Sequence, residues 1–105
     1  MSSTKPVEIR IIGKTYGIQY TSGAPLDDDN IGELDPDKQK ITIKKGQPLE
    51  TEQDTFLHEI IHAIDHELNI GLREKQVRAL ATGFLAALKD NPKLVAYLRR
   101  KNAKP

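Results

Sequence analysis

With 105 residues, no cysteine, and 16 Lys and Arg against 15 Asp and Glu, the chain is expected to form one domain, 1–105, with a modest core. The composition excludes a disulfide framework and thiolate metal sites, and a net charge of +1 argues against general nucleic-acid binding. Residues 1–6 (MSSTKP) lack the apolar stretch of a signal peptide and no run approaches a membrane span, so a cytosolic protein with no membrane partner is expected.

The first residues with a pattern are 7–12, which alternate, and 15–20, separated by Gly13-Lys14; together they predict a β-hairpin turning near 13–14. Residues 21–30 are rich in Ser, Gly, Pro and Asp and read as an exposed loop. Its Asp27, Asp28 and Asp29 lack EF-hand spacing, which makes them a solvated turn rather than a cation site. Residues 31–34 and 40–44 flank Asp35-Pro36-Asp37-Lys38 and predict a second hairpin. Gly32 in that hairpin permits close backbone approach, or simply a bend. Gly46-Gln47-Pro48 ends the β part.

A helix is predicted over 51–69. Thr51 with Asp54 resembles a capping box, and Asn69 and Gly71 offer a stop. Leu57, Ile60, Ile61, Ile64 and Leu68 form its core-facing stripe. A second helix, 73–89, carries Val77, Leu80, Ala81, Phe84, Leu85 and Leu88 on one face. Asn91 as cap and Pro92 in the first turn open a short third helix with Leu94, Val95 and Leu98 inside. The fold class is therefore α+β: a small antiparallel sheet of two hairpins packed on the first helix, followed by two further helices.

The chemistry is concentrated in His58-Glu59-Ile60-Ile61-His62, an H-E-x-x-H segment in the middle of the first helix. Residues four apart lie about one turn apart on a helix, so His58 and His62 project from one face and both reach one Zn²⁺ at about 2.0–2.1 Å. Glu59 lies roughly 100° round the helix, poorly placed as a ligand but suited to act as general base. All three histidines of the chain, His58, His62 and His66, occupy this helix at four-residue steps. The bland alternative is an amphipathic helix with boundary histidines and an accidental motif.

A catalytic zinc site needs a third protein ligand. Asp65 and Leu68 stand where the extended metzincin pattern has Gly and His, which excludes that class. Glu74, one turn before Val77 on the inward face of the second helix, is the first candidate, because a carboxylate leading an apolar stripe needs a cation or a helix terminus. His66 and Asp65 are the rivals. His66 otherwise serves at the mouth of the site, orienting substrate or stabilising an oxyanion, with Tyr97 as a weaker choice for the latter. Asp65 otherwise braces a ligand imidazole, and both are equally compatible with solvated polar positions.

HEIIHAIDHEL followed by Glu74-Lys75-Gln76-Val77-Arg78-Ala79-Leu80-Ala81 resembles compact gluzincin-type peptidases, in particular the small phage and bacterial proteins of the ImmA/IrrE group. In those proteins a second helix carries E-x-x-A-[ND]-x-[FL]-A. The resemblance covers about 50–90, implies a minimal zincin-like fold, and matches Glu74 to the third metal ligand. Arg78 departs from it, standing where an Asn or Asp usually braces a ligand histidine. The resulting expectation is a zinc metallopeptidase, endopeptidase-like, acting on a peptide or protein substrate. In it His58, His62 and Glu74 hold Zn²⁺ and Glu59 and His66 are catalytic. An extended substrate is expected to pair with the strand around 31–34. A silent zinc-binding interaction module of the same fold is the alternative.

Overall fold

The computed structural model describes residues 5–22 and 30–102; the Asp27–Asp29 stretch lies outside them. Four strands come first: β1 (Glu8–Ile11), β2 (Lys14–Thr21), β3 (Gly32–Asp35) and β4 (Lys40–Lys44). Three helices follow: α1 (Leu49–Leu68), α2 (Glu74–Asp90) and α3 (Pro92–Leu98). The α+β class and both hairpins agree with the sequence expectation.

The hairpins β1–β2 and β3–β4 are antiparallel, but β2 joins β4 in parallel, with Ile18 opposite Ile41 and Tyr20 opposite Ile43. The sheet is therefore mixed rather than wholly antiparallel, in the order β1-β2-β4-β3, and β3 is an edge strand. The tight turn of the first hairpin falls at Ile12-Gly13, one residue earlier than expected, with φ of 48° and 81°. Positive φ at both central residues is what a two-residue hairpin of matching twist requires. Glycine meets that freely and a β-branched residue does not.

Alternation along β2 and β4 puts Tyr16, Ile18, Ile41 and Ile43 on the face that meets α1, where they bury with Ile11 and Ala63. Phe56, Ile60 and Ile64 of α1 pack against this cluster. The opposite side of α1 supplies Ile61 to a second, smaller cluster with Val77 and Ala81 of α2, flanked by Leu57 and Leu72. Helix α1 is thus the middle layer between sheet and α2, and from Glu52 to Asp65 every one of its residues is buried or half-buried.

Several local expectations are corrected. Helix α1 starts at Leu49 with Pro48 in the cap position, so Thr51 lies inside its first turn and forms no capping box. Asp54 instead accepts a hydrogen bond from Thr82 Oγ1 (2.9 Å), tying α1 to α2. Leu68, at the end of α1, and Leu80 and Phe84 of α2 are exposed rather than in the core; Val77 and Ala81 are the residues of α2 that bury at its narrow seam with α1. Leu85 and Leu88 are half-buried. Among the described elements helix α3 packs on α2 alone, and it buries no residue; Leu94 and Leu98 face solvent. Asn91 does not cap α3 with its side chain, which donates to the Ala87 carbonyl (2.8 Å) of the preceding helix. Asn69 (φ 52°) and Gly71 (φ 85°) end α1 as expected.

Two polar clusters tie α1 to the sheet. The buried Tyr16 hydroxyl donates to Glu67 Oε2 (2.6 Å), and Lys14 pairs with Glu67 Oε1 (2.9 Å). Burial, then the Glu67 carboxylate, pushes the Tyr16 phenol up to about 12. At the other end of the helix, Glu52 is buried against Lys5 (2.8 Å). No helix among the described residues is long and apolar enough to cross a membrane.

Candidate metal centre

The turn between α1 and α2 decides where Glu74 goes. Asp65 Oδ1 accepts hydrogen bonds from the backbone N–H of Gly71 (2.7 Å) and Leu72 (3.3 Å), folding residues 69–73 back on the end of α1. The Arg73 N–H donates to Gln76 Oε1 (2.8 Å), satisfying one free donor at the start of α2. Asp65 is thereby committed to the turn, and it braces no imidazole.

With the turn closed in this way, the first residue of α2 faces the histidines. Glu74 Oε2 lies 2.7 Å from His58 Nε2, and Glu74 Oε1 lies 2.9 Å from His62 Nε2. The two imidazole nitrogens are 3.2 Å apart. Among the described residues these three side chains form a group whose donor atoms all lie within 4.8 Å of one another. Glu74 is at the mouth of the site, with half its side chain exposed, so the expectation of a buried carboxylate is corrected while its position beside both histidines agrees.

The donor set can be tested against zinc. Ligand bonds of about 2.0–2.1 Å at tetrahedral angles put neighbouring donor atoms roughly 3.3 Å apart. The His58–His62 separation of 3.2 Å has that spacing without any rearrangement. The carboxylate contacts, 2.7 and 2.9 Å, are at hydrogen-bond length and need only a small opening. Two imidazoles and one carboxylate leave a fourth position, which is the ligand count of a catalytic rather than a structural zinc site. Burial holds His58 below the ordinary imidazole value, with help from His62 and Arg78 and against the pull of Glu74. A neutral imidazole is the form that ligates a metal.

Glu59 is buried on the floor of the same cleft, a cavity of about 260 Å³ that it shares with His58, Glu74 and Arg78. Burial, followed by the charges of Glu74 and Glu33, raises its carboxyl from 4.5 to about 7. A carboxyl near neutrality is suited to taking and returning a proton. The opposite wall is β3: its Gly32 backbone lies against Thr55 and Glu59 of α1.

His66 lines the far end of the cleft together with His62 and Glu33, and it is not part of the donor group. Its ring is exposed and lies outside the metal donor set. Tyr97 is on α3, exposed against Arg100, and lines neither part of the cleft, so the structure does not bring it to an oxyanion there.

Two contributors were not singled out from the sequence as parts of the site. Arg78, one turn after Glu74, lies 3.5 Å from its Oε2 and adds a cation to the cleft wall. Gln47 donates to the carbonyls of Lys44 (2.7 Å) and Ile31 (3.4 Å), and its Oε1 lies 3.0 Å from the Thr55 hydroxyl. It fixes the end of the β3–β4 hairpin to the helix that carries the motif. Its neighbours Gly46 and Pro48 mark only a turn, and nothing local in the sequence signals the clasp.

Comparison of the chain with protein-family models, with curated proteins and with solved structures finds no match.

Proposed function

We propose that this protein is a zinc-dependent metallopeptidase of the compact gluzincin kind that its HEIIH segment resembles. The observation that carries this reading is the convergence of His58, His62 and Glu74 from two helices, beside a buried Glu59 in one cleft. His58 and His62 would hold the ion through their imidazoles, and Glu74 through its carboxylate. Bound zinc supplies a Lewis acid that polarises the scissile carbonyl and lowers the pKa of water. Glu59 takes the proton of the attacking water on its carboxylate and returns it to the leaving amine. An extended peptide adds alongside β3, the strand that ends the sheet beside the cleft, so that backbone pairing orients the bond to be cut. His66, at the far end of the cleft, steadies the substrate or its developing oxyanion.

The test is elemental analysis of protein purified without chelator, with cleavage of a peptide library followed by mass spectrometry. About one zinc per chain is expected, together with cleavage that Glu59→Gln abolishes while the metal stays bound. Absence of a transition metal, with no uptake of added Zn²⁺, refutes the reading. A protein that binds zinc and cleaves nothing leaves the silent zinc-binding module.

A further inference from the structure

Gly32 opens the edge strand β3, and its φ lies outside the left-handed region, so the backbone alone does not call for glycine there. What does call for it is space. A Cβ at this position would lie 2.6 Å from Thr55 Cγ2, 2.9 Å from Glu59 Oε2 and 3.3 Å from Glu59 Cγ. Carbon atoms in good contact sit about 3.5–4.0 Å apart. At every other described glycine an added Cβ meets nothing within 4 Å.

Neither neighbour has an easy retreat. Thr55 is buried, with its hydroxyl shared between Gln47 Oε1 (3.0 Å) and the Thr51 carbonyl (2.9 Å). Glu59 is buried between the strand and the cluster formed by His58 and Glu74. The bare backbone of the strand is therefore the surface against which the Glu59 side chain rests.

We propose that Gly32 is a positioning residue for Glu59: its missing side chain lets the edge strand back the carboxylate and hold it on the cleft floor beside His58, His62 and Glu74. The proposal rests on the peptidase reading for the task Glu59 performs, but the contact itself does not. A methyl group at Gly32 drives the carboxylate several tenths of an ångström from its place. Displacements of about 1 Å in a catalytic group lower rates on the order of a hundredfold.

The experiment uses the full chain in a Thr55→Ser background, which removes Cγ2 and its 2.6 Å contact but keeps the hydroxyl and its partners. The contact under 3.0 Å left for Gly32→Ala is then that of Glu59 Oε2. In metal-free protein, Gly32→Ala is expected to lower the urea midpoint in this background. The loss should disappear when Glu59→Ala is added, because the obstructing atoms are gone. In zinc-loaded protein, Gly32→Ala/Thr55→Ser is expected to show kcat about ten- to a hundredfold below Thr55→Ser, with zinc content and KM unchanged. If the Gly32→Ala/Thr55→Ser protein does not fold, recovery of folding on adding Glu59→Ala supports the contact and failure to recover overturns it. A midpoint loss that persists without Glu59, or an unchanged kcat, overturns the proposal while leaving the peptidase reading intact. A wild-type protein that cleaves nothing overturns the peptidase reading and the positioning role with it, and the metal-free cycle still decides the contact separately.

Discussion

Replacing Glu59 by Gln should stabilise the metal-free protein, and by an amount that depends on pH in a specified way. The Glu59 carboxyl is raised from 4.5 to about 7, chiefly by burial. Between those values the folded protein holds a proton that the unfolded chain has released, so folding weakens as pH rises through this window. The cost is absent below pH 4.5 and fully present above pH 7. At about 1.4 kcal/mol per pH unit, the raised value corresponds to on the order of 3 kcal/mol. The amide of Gln has nearly the same shape and no such titration. Urea unfolding followed by circular dichroism, with chelator present, should therefore find Glu59→Gln more stable than wild type by on the order of 3 kcal/mol at pH 8, with the gap closing to within about 0.5 kcal/mol at pH 4.5. A difference that does not change with pH, or one of opposite slope, refutes the argument. Added Zn²⁺ should narrow the gap at pH 8, since a nearby cation stabilises the ionised carboxylate.

His58→Ala or His62→Ala should each abolish zinc uptake and Glu74→Gln should weaken it sharply, whereas His66→Ala should leave metal content near normal; competition with a chromophoric chelator measures all four. A protein that keeps zinc without Glu74 but loses it without His66 reverses the ligand assignment. Because the cluster joins α1 to α2, zinc should raise the melting temperature with the logarithm of its excess over Kd, and a melting curve unchanged by confirmed metal removal argues against a site that spans the two helices. Ile12→Asn should stabilise by about 1 kcal/mol in urea titrations, since Ile12 is exposed and held at a φ of 48° that asparagine tolerates better. Loss of stability there would mean that the side chain contributes more than its exposure suggests. Tyr16→Phe should cost about 1.5–3 kcal/mol by removing a buried hydrogen bond to the Glu67 carboxylate, and a neutral result would show Lys14 sufficient for Glu67.

Helix α1, both hairpins and the shared face of His58 and His62 were legible in the sequence because each rests on local periodicity, whereas Glu74 was matched to them by its place one turn before Val77 and by the resemblance. Four-residue spacing fixes the face of two histidines, and alternation fixes the inward side of β2 and β4. The parallel joining of β2 to β4 was not legible, since no short-range signal records which strand edges will meet once two hairpins exist. The width of the α1–α2 seam was equally hidden. The 3.6-residue repeat marks Leu80 and Phe84 as apolar, but whether a neighbour covers them depends on where α2 lies across α1. Asp65 illustrates a different failure: an acidic residue one turn after His62 has the spacing of a histidine brace, yet two unpaired N–H groups in the following turn compete for it and win.

The placement of α1 between two apolar layers has a mechanical consequence. A helix clamped along its length by the sheet and by α2 cannot bend or roll without opening both clusters, so His58, Glu59 and His62 ride on a fixed beam. The sheet side buries Ile11, Tyr16, Ile18, Ile41, Ile43 and Ala63, whereas the other side is held by Ile61, Val77 and Ala81. The buried cluster on the α2 side is the smaller, so a swing of α2 about the closed 69–73 turn, with Glu74 next to the axis, disturbs less of the core than a shift of the sheet. In such a lever the end near the pivot moves least, so the far half of α2 travels while Glu74 stays within reach of both histidines.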